Sequence, residues 1–197
     1  GRAVSSAGDV NGDGYSDVIV GAFFYDNGHT DEGAAFVYHG SSSGLITTAS
    51  SQLESNQTSA QMGWSVSSAG DVNGDGYSDV IVGADRYNNG HTDEGAAFVY
   101  HGSASGLSTT ASSQLECNQA GARIGFSVSS AGDVNGDGYS DVIVGAYAYD
   151  NGQTNEGAAF VYYGNAGGGM RNNLRLYDDN LSSLFTDASF SDGNMGI

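Results

Sequence analysis

The segment DVNGDGYSDVIVGA occupies residues 9–22 and recurs without a change at residues 71–84 and 133–146. Successive copies begin 62 residues apart. Self-similarity at a fixed period is the signature of a protein built from repeated structural units. The sequence therefore predicts three such units, each carrying one copy of this segment.

The residues around the segment repeat with it and set the limits of the units. GWSVSSAG begins at Gly63, GFSVSSAG at Gly125 and the related GRAVSSAG at Gly1, and GAAFVY follows the segment in every copy. The third copy diverges after Asn165, and the closing tripeptide Met195-Gly196-Ile197 corresponds to the opening of a further unit. The predicted units are residues 1–62, 63–124 and 125–197.

Each unit contains four short runs typical of β-strands. SVSSAG alternates small and apolar residues, DVIVGA and GAAFVYHG are rich in β-branched and aromatic residues, and SSQLES is shorter and more polar. Clusters of Gly, Asn and Asp separate the runs and predict turns. Four antiparallel strands per unit of about 62 residues indicate an all-β fold of β-propeller blades. Because propellers typically contain four to eight blades, these three are expected to be part of a larger or assembled propeller.

The amino-acid composition limits the kinds of molecule that the protein is expected to bind. The chain has 197 residues, a formal net charge of −18, five Arg and no Lys. Such a charge disfavours nucleic acid and anionic membranes as partners and favours cations. Cys117 is the only cysteine, so no disulfide can form within the chain. No apolar run reaches the roughly 18 residues of a membrane span, and membrane insertion is not expected.

The chemistry of the repeated segment lies in its DxNxDGxxD pattern. Oxygen-bearing side chains stand at positions 1, 3, 5 and 9, and a glycine at position 6 permits the sharp turn that lets them converge. The backbone carbonyl at position 7 could supply one more oxygen. Calcium takes 6 to 8 oxygen ligands in flexible geometry, which suits a short loop. The predicted ligands of three calcium ions are Asp9, Asn11, Asp13, Tyr15 and Asp17; Asp71, Asn73, Asp75, Tyr77 and Asp79; and Asp133, Asn135, Asp137, Tyr139 and Asp141.

Two other kinds of loop share part of this pattern. Asp, Asn and Gly favour turns without any metal, but three copies at one spacing argue against turns alone. An EF-hand or dockerin loop begins similarly but requires an acid at position 12 and a flanking helix. Position 12 here is Val20, Val82 or Val144, inside a predicted strand. The loops are therefore expected between two strands of a blade.

Together, the DxNxDGxxD loops and the VGA that follows them resemble the FG-GAP repeats of integrin α-subunits. The resemblance implies a propeller in which calcium lies in the loop between the first and second strands and rigidifies the blade. It also implies an extracellular, secreted or cell-surface location. Crowded carboxylates in one loop repel one another, so metal binding and folding should be coupled, and three divalent ions would change the net charge to −12.

The sequence offers little for catalysis, and no catalytic residue is predicted. Residues 40–44, GSSSG, match the G-x-S-x-G nucleophile pattern, but no helix follows and Ala104 takes the place of the serine in the second copy. His29 and His91 are replaced by Gln153 in the third unit, so a shared role as base or ligand is not required. We therefore expect binding or assembly rather than an enzyme.

The favoured function is a structural or adhesive module that acts through protein partners or further copies of itself at open blade edges, with filament formation as one form of assembly. The alternative is an accessory propeller of a secreted hydrolase, or a carbohydrate-binding module. Tyr25, Tyr87 and Tyr149 lie in the loops between the second and third strands and could stack on a glycan or pack on a neighbour. Asn56 and Asn180 begin glycosylation sequons.

Overall fold

The computed structural model describes residues 1–176, and the side chains of all of these except 172–175. This part of the chain contains twelve β-strands and no helix, and therefore no helix long and apolar enough to cross a membrane. The strands form three four-stranded antiparallel sheets. Their bounds are β1 Ala3–Gly8, β2 Asp17–Ala22, β3 Ala34–Tyr38, β4 Ser51–Glu54, β5 Met62–Gly70, β6 Asp79–Ala84, β7 Ala96–Tyr100, β8 Ser113–Leu115, β9 Ile124–Gly132, β10 Asp141–Ala146, β11 Ala158–Tyr163 and β12 Arg171–Leu176.

Every sheet is a simple meander in which neighbours in sequence are neighbours in space. The orders are β1-β2-β3-β4, β5-β6-β7-β8 and, read from the other edge, β12-β11-β10-β9. In the first sheet Ile19 pairs with Ser5 on one side and with Val37 on the other. The all-β prediction of four-stranded propeller blades is confirmed. We call the three sheets blade 1, blade 2 and blade 3.

The hydrophobic core lies between successive blades rather than inside any one of them. Ile19, Val37 and Leu53 of blade 1 cluster with Val80 and Val82 of blade 2, and all five are fully buried. Blade 2 makes the corresponding cluster with blade 3. Alternate strand residues point to opposite faces of a sheet, so one DVIVGA strand serves two interfaces.

Strand limits differ slightly from the sequence pattern. The first strands of blades 2 and 3 begin at Met62 and Ile124, where Gly33 and Gly95 of the preceding blades form parallel bridges to them. Only three residues of the second SSQLES-like run form a strand. The unit limits at residues 62 and 124 remain predictions. The sequon at Asn180 and the tripeptide at 195–197 lie outside the described residues, whereas Asn56 is exposed.

Candidate metal centres

The three DxNxDGxxD loops join the first and second strands of each blade. In blade 1 the loop is closed where Gly8 pairs with Asp17, and the same pairing joins Gly70 to Asp79 and Gly132 to Asp141. Each loop therefore turns the chain through a hairpin at one end of the sheet. This is the position predicted from the sequence.

The aspartate at position 1 organises the turn. The carboxylate of Asp9 accepts hydrogen bonds from the N–H groups of Gly12 at 2.7 Å, Asp13 at 3.1 Å and Gly14 at 2.8 Å. Gly14 has a φ of 87°, a conformation that a side chain would strain. A short polar side chain and a glycine five residues later are therefore both needed to close the loop.

The other two loops repeat this arrangement almost to the tenth of an ångström. Asp71 accepts the equivalent hydrogen bonds at 2.7, 3.1 and 2.8 Å. Asp133 accepts them at 2.7, 3.1 and 2.9 Å. Three identical sequences thus produce three identical local structures, which makes each loop an internal control for the others.

Positions 3 and 5 form the exposed tip. The side-chain amide of Asn11 donates to Asp13 at 3.0 Å, and its oxygen accepts the N–H of Asp13 at 3.1 Å. The other carboxylate oxygen of Asp13 accepts the N–H of Tyr15 at 2.9 Å. These side-chain oxygens are already held in place by neighbouring N–H groups in the same loop.

The aspartate at position 9 differs from the rest because it is buried. Asp17 is 2% exposed, and Asp79 and Asp141 are fully buried. One oxygen of Asp17 accepts the N–H of Val10 and the other accepts the N–H of Gly40, both at 2.9 Å. This carboxylate ties the loop to the end of the third strand. Sequence reasoning gave position 9 a role as ligand and missed this structural one.

Burial has an electrostatic cost at this position. Burial raises the pKa of Asp79 to about 6. Hydrogen bonds from the N–H groups of Gly102 and Val72, and the nearby His101, act in the opposite direction and lower this pKa. The charge of Asp75, in the same loop, raises it further. Removing a carboxylate from water disfavours its ionised form, and a bound cation would offset that cost.

The residues present fit a hard cation in their chemistry. Every group assigned to a site supplies oxygen, the donor that calcium prefers, and a carboxylate oxygen that accepts one N–H retains a second lone pair. At positions 1, 3 and 5 the side chains accept N–H groups of their own loop. Within residues 1–176 no three His, Cys, Asp or Glu side chains form a metal-holding group. Binding would therefore exchange some hydrogen bonds of the loop tip, such as that between Asn11 and Asp13, for metal contacts.

The loops between the second and third strands carry aromatic residues that mostly pack within their own blade. Tyr25, Tyr87 and Tyr149 make edge-to-face contacts with a phenylalanine of the third strand, with centroid distances of 5.2, 5.2 and 5.3 Å. Tyr149 is 8% exposed. These contacts lie within one blade, so stacking on a glycan and packing on a neighbour both remain predictions.

A row of aromatic side chains that the sequence pattern did not reveal crosses the blades. Phe23 lies 5.0 Å from Trp64, which lies 5.6 Å from Phe126, and Tyr147 follows at 4.5 Å. The guanidinium of Arg2 stacks over Trp64 at 3.6 Å. Arg2, Trp64 and Phe126 occupy the same position of the repeat, directly after its opening glycine. This recurrence was the one sequence feature from which the row could have been predicted.

The histidines divide into two environments. His29 is half-exposed with its Nδ1 3.6 Å from a carboxylate oxygen of the buried Glu32, and His91 stands in the same relation to Glu94 at 3.4 Å. The Nε2 atoms of His39 and of its counterpart in blade 2 are shielded from solvent. His39 and His101 are therefore half-buried, whereas His29 and His91 are exposed.

Comparison with known proteins agrees with the repeat structure. The model of the FG-GAP repeat matches residues 1–38, 62–100 and 125–162. Integrin alpha-4 of Xenopus laevis is 34% identical over 155 residues, which is 77% of this chain and 14% of that protein. Integrin alpha pat-2 of Caenorhabditis briggsae is 36% identical over 160 residues, 73% of this chain and 13% of that protein. Integrin alpha-7 of Rattus norvegicus is 35% identical over 142 residues, which is 71% of this chain and 12% of that protein. The chain thus spans only 12–14% of the length of these relatives.

Proposed function

The chain belongs to the FG-GAP repeat family, and from that membership we propose that it is a calcium-binding propeller module that acts outside the cell by binding proteins. The observation that carries the proposal is the threefold recurrence of one loop geometry with oxygen side chains at positions 1, 3, 5 and 9. Its relatives are integrin α-subunits, which supports a role in adhesion at a cell surface.

The residues assigned to the ions are those predicted from the sequence. In blade 1, Asp9, Asn11 and Asp13 present side-chain oxygens, Tyr15 its carbonyl, and Asp17 a buried carboxylate. A bound calcium ion would supply two positive charges to a loop that otherwise holds three carboxylates and no cationic side chain. Because Asp17 also binds the N–H of Gly40, tightening the loop would stabilise the attachment of the third strand.

Binding rather than catalysis is the proposed mode of action. Partners would be other proteins or other copies of the chain, bound at open blade edges, and repeated association of this kind could build a filament. The charge of −18 means that calcium would also reduce repulsion between associating molecules.

Thermal unfolding with and without calcium tests the proposal. Calcium at a hundredfold excess over a site's Kd should stabilise the folded state by about 2.7 kcal/mol for each site, so three sites should raise the Tm by many degrees. Magnesium serves as the comparison ion, because it requires a more rigid octahedral site. An unfolding temperature that is the same in calcium and in chelator would contradict the proposal.

A further inference from the structure

Each blade buries one glutamate in the loop between its second and third strands. Glu32 of blade 1 and Glu94 of blade 2 are fully buried, and Glu156 of blade 3 is half-buried. Glutamate is almost never fully buried unless it is paired, because removing a charged carboxylate from water costs free energy that its partners must offset. These loops lie at the opposite end of each sheet from the DxNxDGxxD loops. The glutamates therefore form a set separate from the predicted calcium ligands.

One carboxylate oxygen of the buried glutamate is held by its own loop. Oε1 of Glu32 accepts hydrogen bonds from the N–H groups of Asn27 at 2.7 Å and His29 at 3.4 Å. Blade 2 repeats both hydrogen bonds, at 2.6 and 3.4 Å. The carboxylate group is thus fixed in position by backbone groups.

The other carboxylate oxygen has no partner among the described residues. Oε2 of Glu32 and Oε2 of Glu94 are shielded from solvent, and no hydrogen bond from the described part of the chain reaches them. In blade 3, Oε2 of Glu156 accepts the N–H of Gln153 at 3.2 Å, and Oε1 is the shielded oxygen without a hydrogen bond. Leaving a buried charged oxygen unpaired is costly. Its recurrence in all three loops indicates a site for a cation.

A histidine side chain faces this oxygen in blades 1 and 2. Nδ1 of His29 lies 3.6 Å from Oε2 of Glu32, and Nδ1 of His91 lies 3.4 Å from Oε2 of Glu94. The side chains of both histidines are 45% exposed, whereas both carboxylates are completely buried. Each pair therefore brings a nitrogen and an oxygen together at the surface, with protein on the carboxylate side and solvent on the imidazole side.

The separation of the two atoms suits a shared metal ion. In a tetrahedral zinc site, with bonds of about 2.0–2.2 Å to imidazole nitrogen and carboxylate oxygen, two ligand atoms lie roughly 3.4 Å apart. A charged hydrogen bond between the same two atoms would be shorter, at about 2.7–2.9 Å. Imidazole nitrogen suits zinc and similar transition ions, whereas calcium and magnesium prefer oxygen ligands. The pair thus differs in its chemistry from the calcium loops.

We propose that His29 with Glu32, and His91 with Glu94, each bind one zinc-like divalent ion through Nδ1 and Oε2. Among the described residues no third His, Cys, Asp or Glu side chain joins either pair, so water completes the coordination. The ion supplies the positive partner that the buried oxygen lacks. This site goes beyond the proposed calcium function, because it uses other residues, another class of ion and the opposite ends of the blades.

The glutamate is anchored where two blades meet. The carbonyl of Glu32 accepts the N–H of Met62, the first residue of blade 2, at 2.8 Å, and the hydroxyl of Ser55 at 3.0 Å. The carbonyl of Glu94 accepts the N–H of Ile124, the first residue of β9, at 2.8 Å. An ion held by this glutamate and by the exposed histidine therefore connects the tip of the loop to the junction between two blades.

Blade 3 provides an internal control for the proposal. Gln153 stands at the repeat position of His29 and His91, while Glu156 keeps its shielded oxygen. The nitrogen of a glutamine amide is a hydrogen-bond donor and has no lone pair comparable to that of imidazole. Blade 3 therefore keeps the carboxylate but lacks the nitrogen ligand. The proposal predicts two zinc ions for each chain rather than three.

Equilibrium dialysis of the full chain against Zn²⁺ in excess calcium tests the proposal. The calcium competes for the DxNxDGxxD loops, so the zinc count reports the pairs of histidine and glutamate. The parent chain should bind two zinc ions, His29→Gln one, and the variant that combines His29→Gln with His91→Gln none. Glu32→Gln should also bind one, because its side chain no longer offers a second anionic oxygen. Each lost ligand should weaken zinc binding at its own loop at least about tenfold, since even partners outside the ligand shell contribute that much.

A gain of binding separates this site from misfolding and from general attraction of zinc to an acidic chain. Gln153→His should create a third zinc site, because it places imidazole beside Glu156. His39→Gln is the matched control and should still bind two ions, since Nδ1 of His39 faces the side-chain amide of Asn11 instead. No zinc binding by the parent chain, an unchanged count in the double histidine variant or in Glu32→Gln, or no third ion in Gln153→His would each overturn the proposal.

The zinc and calcium proposals can fail separately. A calcium titration of the double histidine variant without zinc shows whether the DxNxDGxxD loops bind calcium when the zinc ligands are absent. Zinc counts that follow the histidine and glutamate substitutions, in a chain that does not bind calcium, would uphold the present inference and refute the calcium function.

Discussion

A Cβ atom on Gly21 would lie 2.9 Å from the carbonyl carbon of Gly63 and would overlap its oxygen. Gly83 stands in the same relation to Gly125, one blade further on. The glycine of the VGA sequence in blades 1 and 2 therefore allows the backbone of the next blade to approach closely. Only Gly145, on blade 3, has no such neighbour among the described residues.

This relationship predicts unequal costs for identical substitutions. Gly21→Ala should lower the free energy of unfolding by about 1–3 kcal/mol, because overpacking a well-packed interface strains its backbone. Gly145→Ala should change it by less than about 0.5 kcal/mol, the usual range for surface changes. Both are compared by urea unfolding under the same conditions. Equal costs at the two positions would contradict the assignment of the blade interfaces.

The two kinds of aspartate in each loop should respond differently to metal removal. In chelator, Asp79→Ala should lower the free energy of unfolding by about 1–3 kcal/mol for each buried N–H that it leaves unpaired, namely those of Val72 and Gly102. Asp75→Ala should cost little in chelator, because its side chain is at the exposed tip, yet it should remove much of the stabilisation by calcium. Chemical unfolding with and without calcium separates these effects. A large cost of Asp75→Ala in chelator would show that the tip is structural without metal.

Asp85 should make stability depend on pH. Burial raises the pKa of Asp85 above its ordinary value of 3.8, against the opposing charges of Arg123 and Arg86. A raised folded-state pKa gives stability that is present below pH 3.8 and is lost as pH rises through the folded-state value. Asp85→Asn should therefore become more favourable, relative to the parent chain, as the pH rises above 3.8.

The ion pair of Asp85 supplies the control for this prediction. Nη1 of Arg123 lies 3.7 Å from Oδ2 of Asp85, and Nη2 of Arg123 lies 3.1 Å from Oδ2 of Asp93. Arg123→Gln removes a charge that lowers the pKa of Asp85, so the loss of stability should extend to higher pH. Urea unfolding at several pH values measures both effects, and a pH profile of Asp85→Asn that parallels the parent chain would refute this account.

Trp64 offers a spectroscopic test of the aromatic row. It is the only tryptophan in the chain, and Arg2 covers it at 3.6 Å. Arg2→Ala should lower the free energy of unfolding by about 0.5–1 kcal/mol, the range of an exposed cation–π contact, and should shift the fluorescence emission to longer wavelength. Arg2→Lys should retain part of both properties. An unchanged emission spectrum in Arg2→Ala would contradict the stacking.

The features that could be predicted from the sequence are those encoded by neighbouring residues. The position of the DxNxDGxxD loops between two strands follows from a turn signal directly before DVIVGA, and the repeat period gives the blades. The bond between Asp17 and the N–H of Gly40 could not be predicted, because 23 residues separate its partners. The row from Phe23 to Trp64 and Phe126 likewise depends on how separate blades stack. Contacts between units require knowledge of the packing, which the local pattern does not contain.

The direct test of the central claim is a calorimetric titration of the metal-free chain with calcium. The account predicts three ions for each chain, and two ions after Asp9→Ala, Asp71→Ala or Asp133→Ala. Asp26→Asn is the matched control and should still bind three, because Asn88 makes the equivalent hydrogen bond in blade 2. Absence of calcium binding, or a stoichiometry that is unchanged in all three loop variants, would contradict the assignment of these loops as calcium sites.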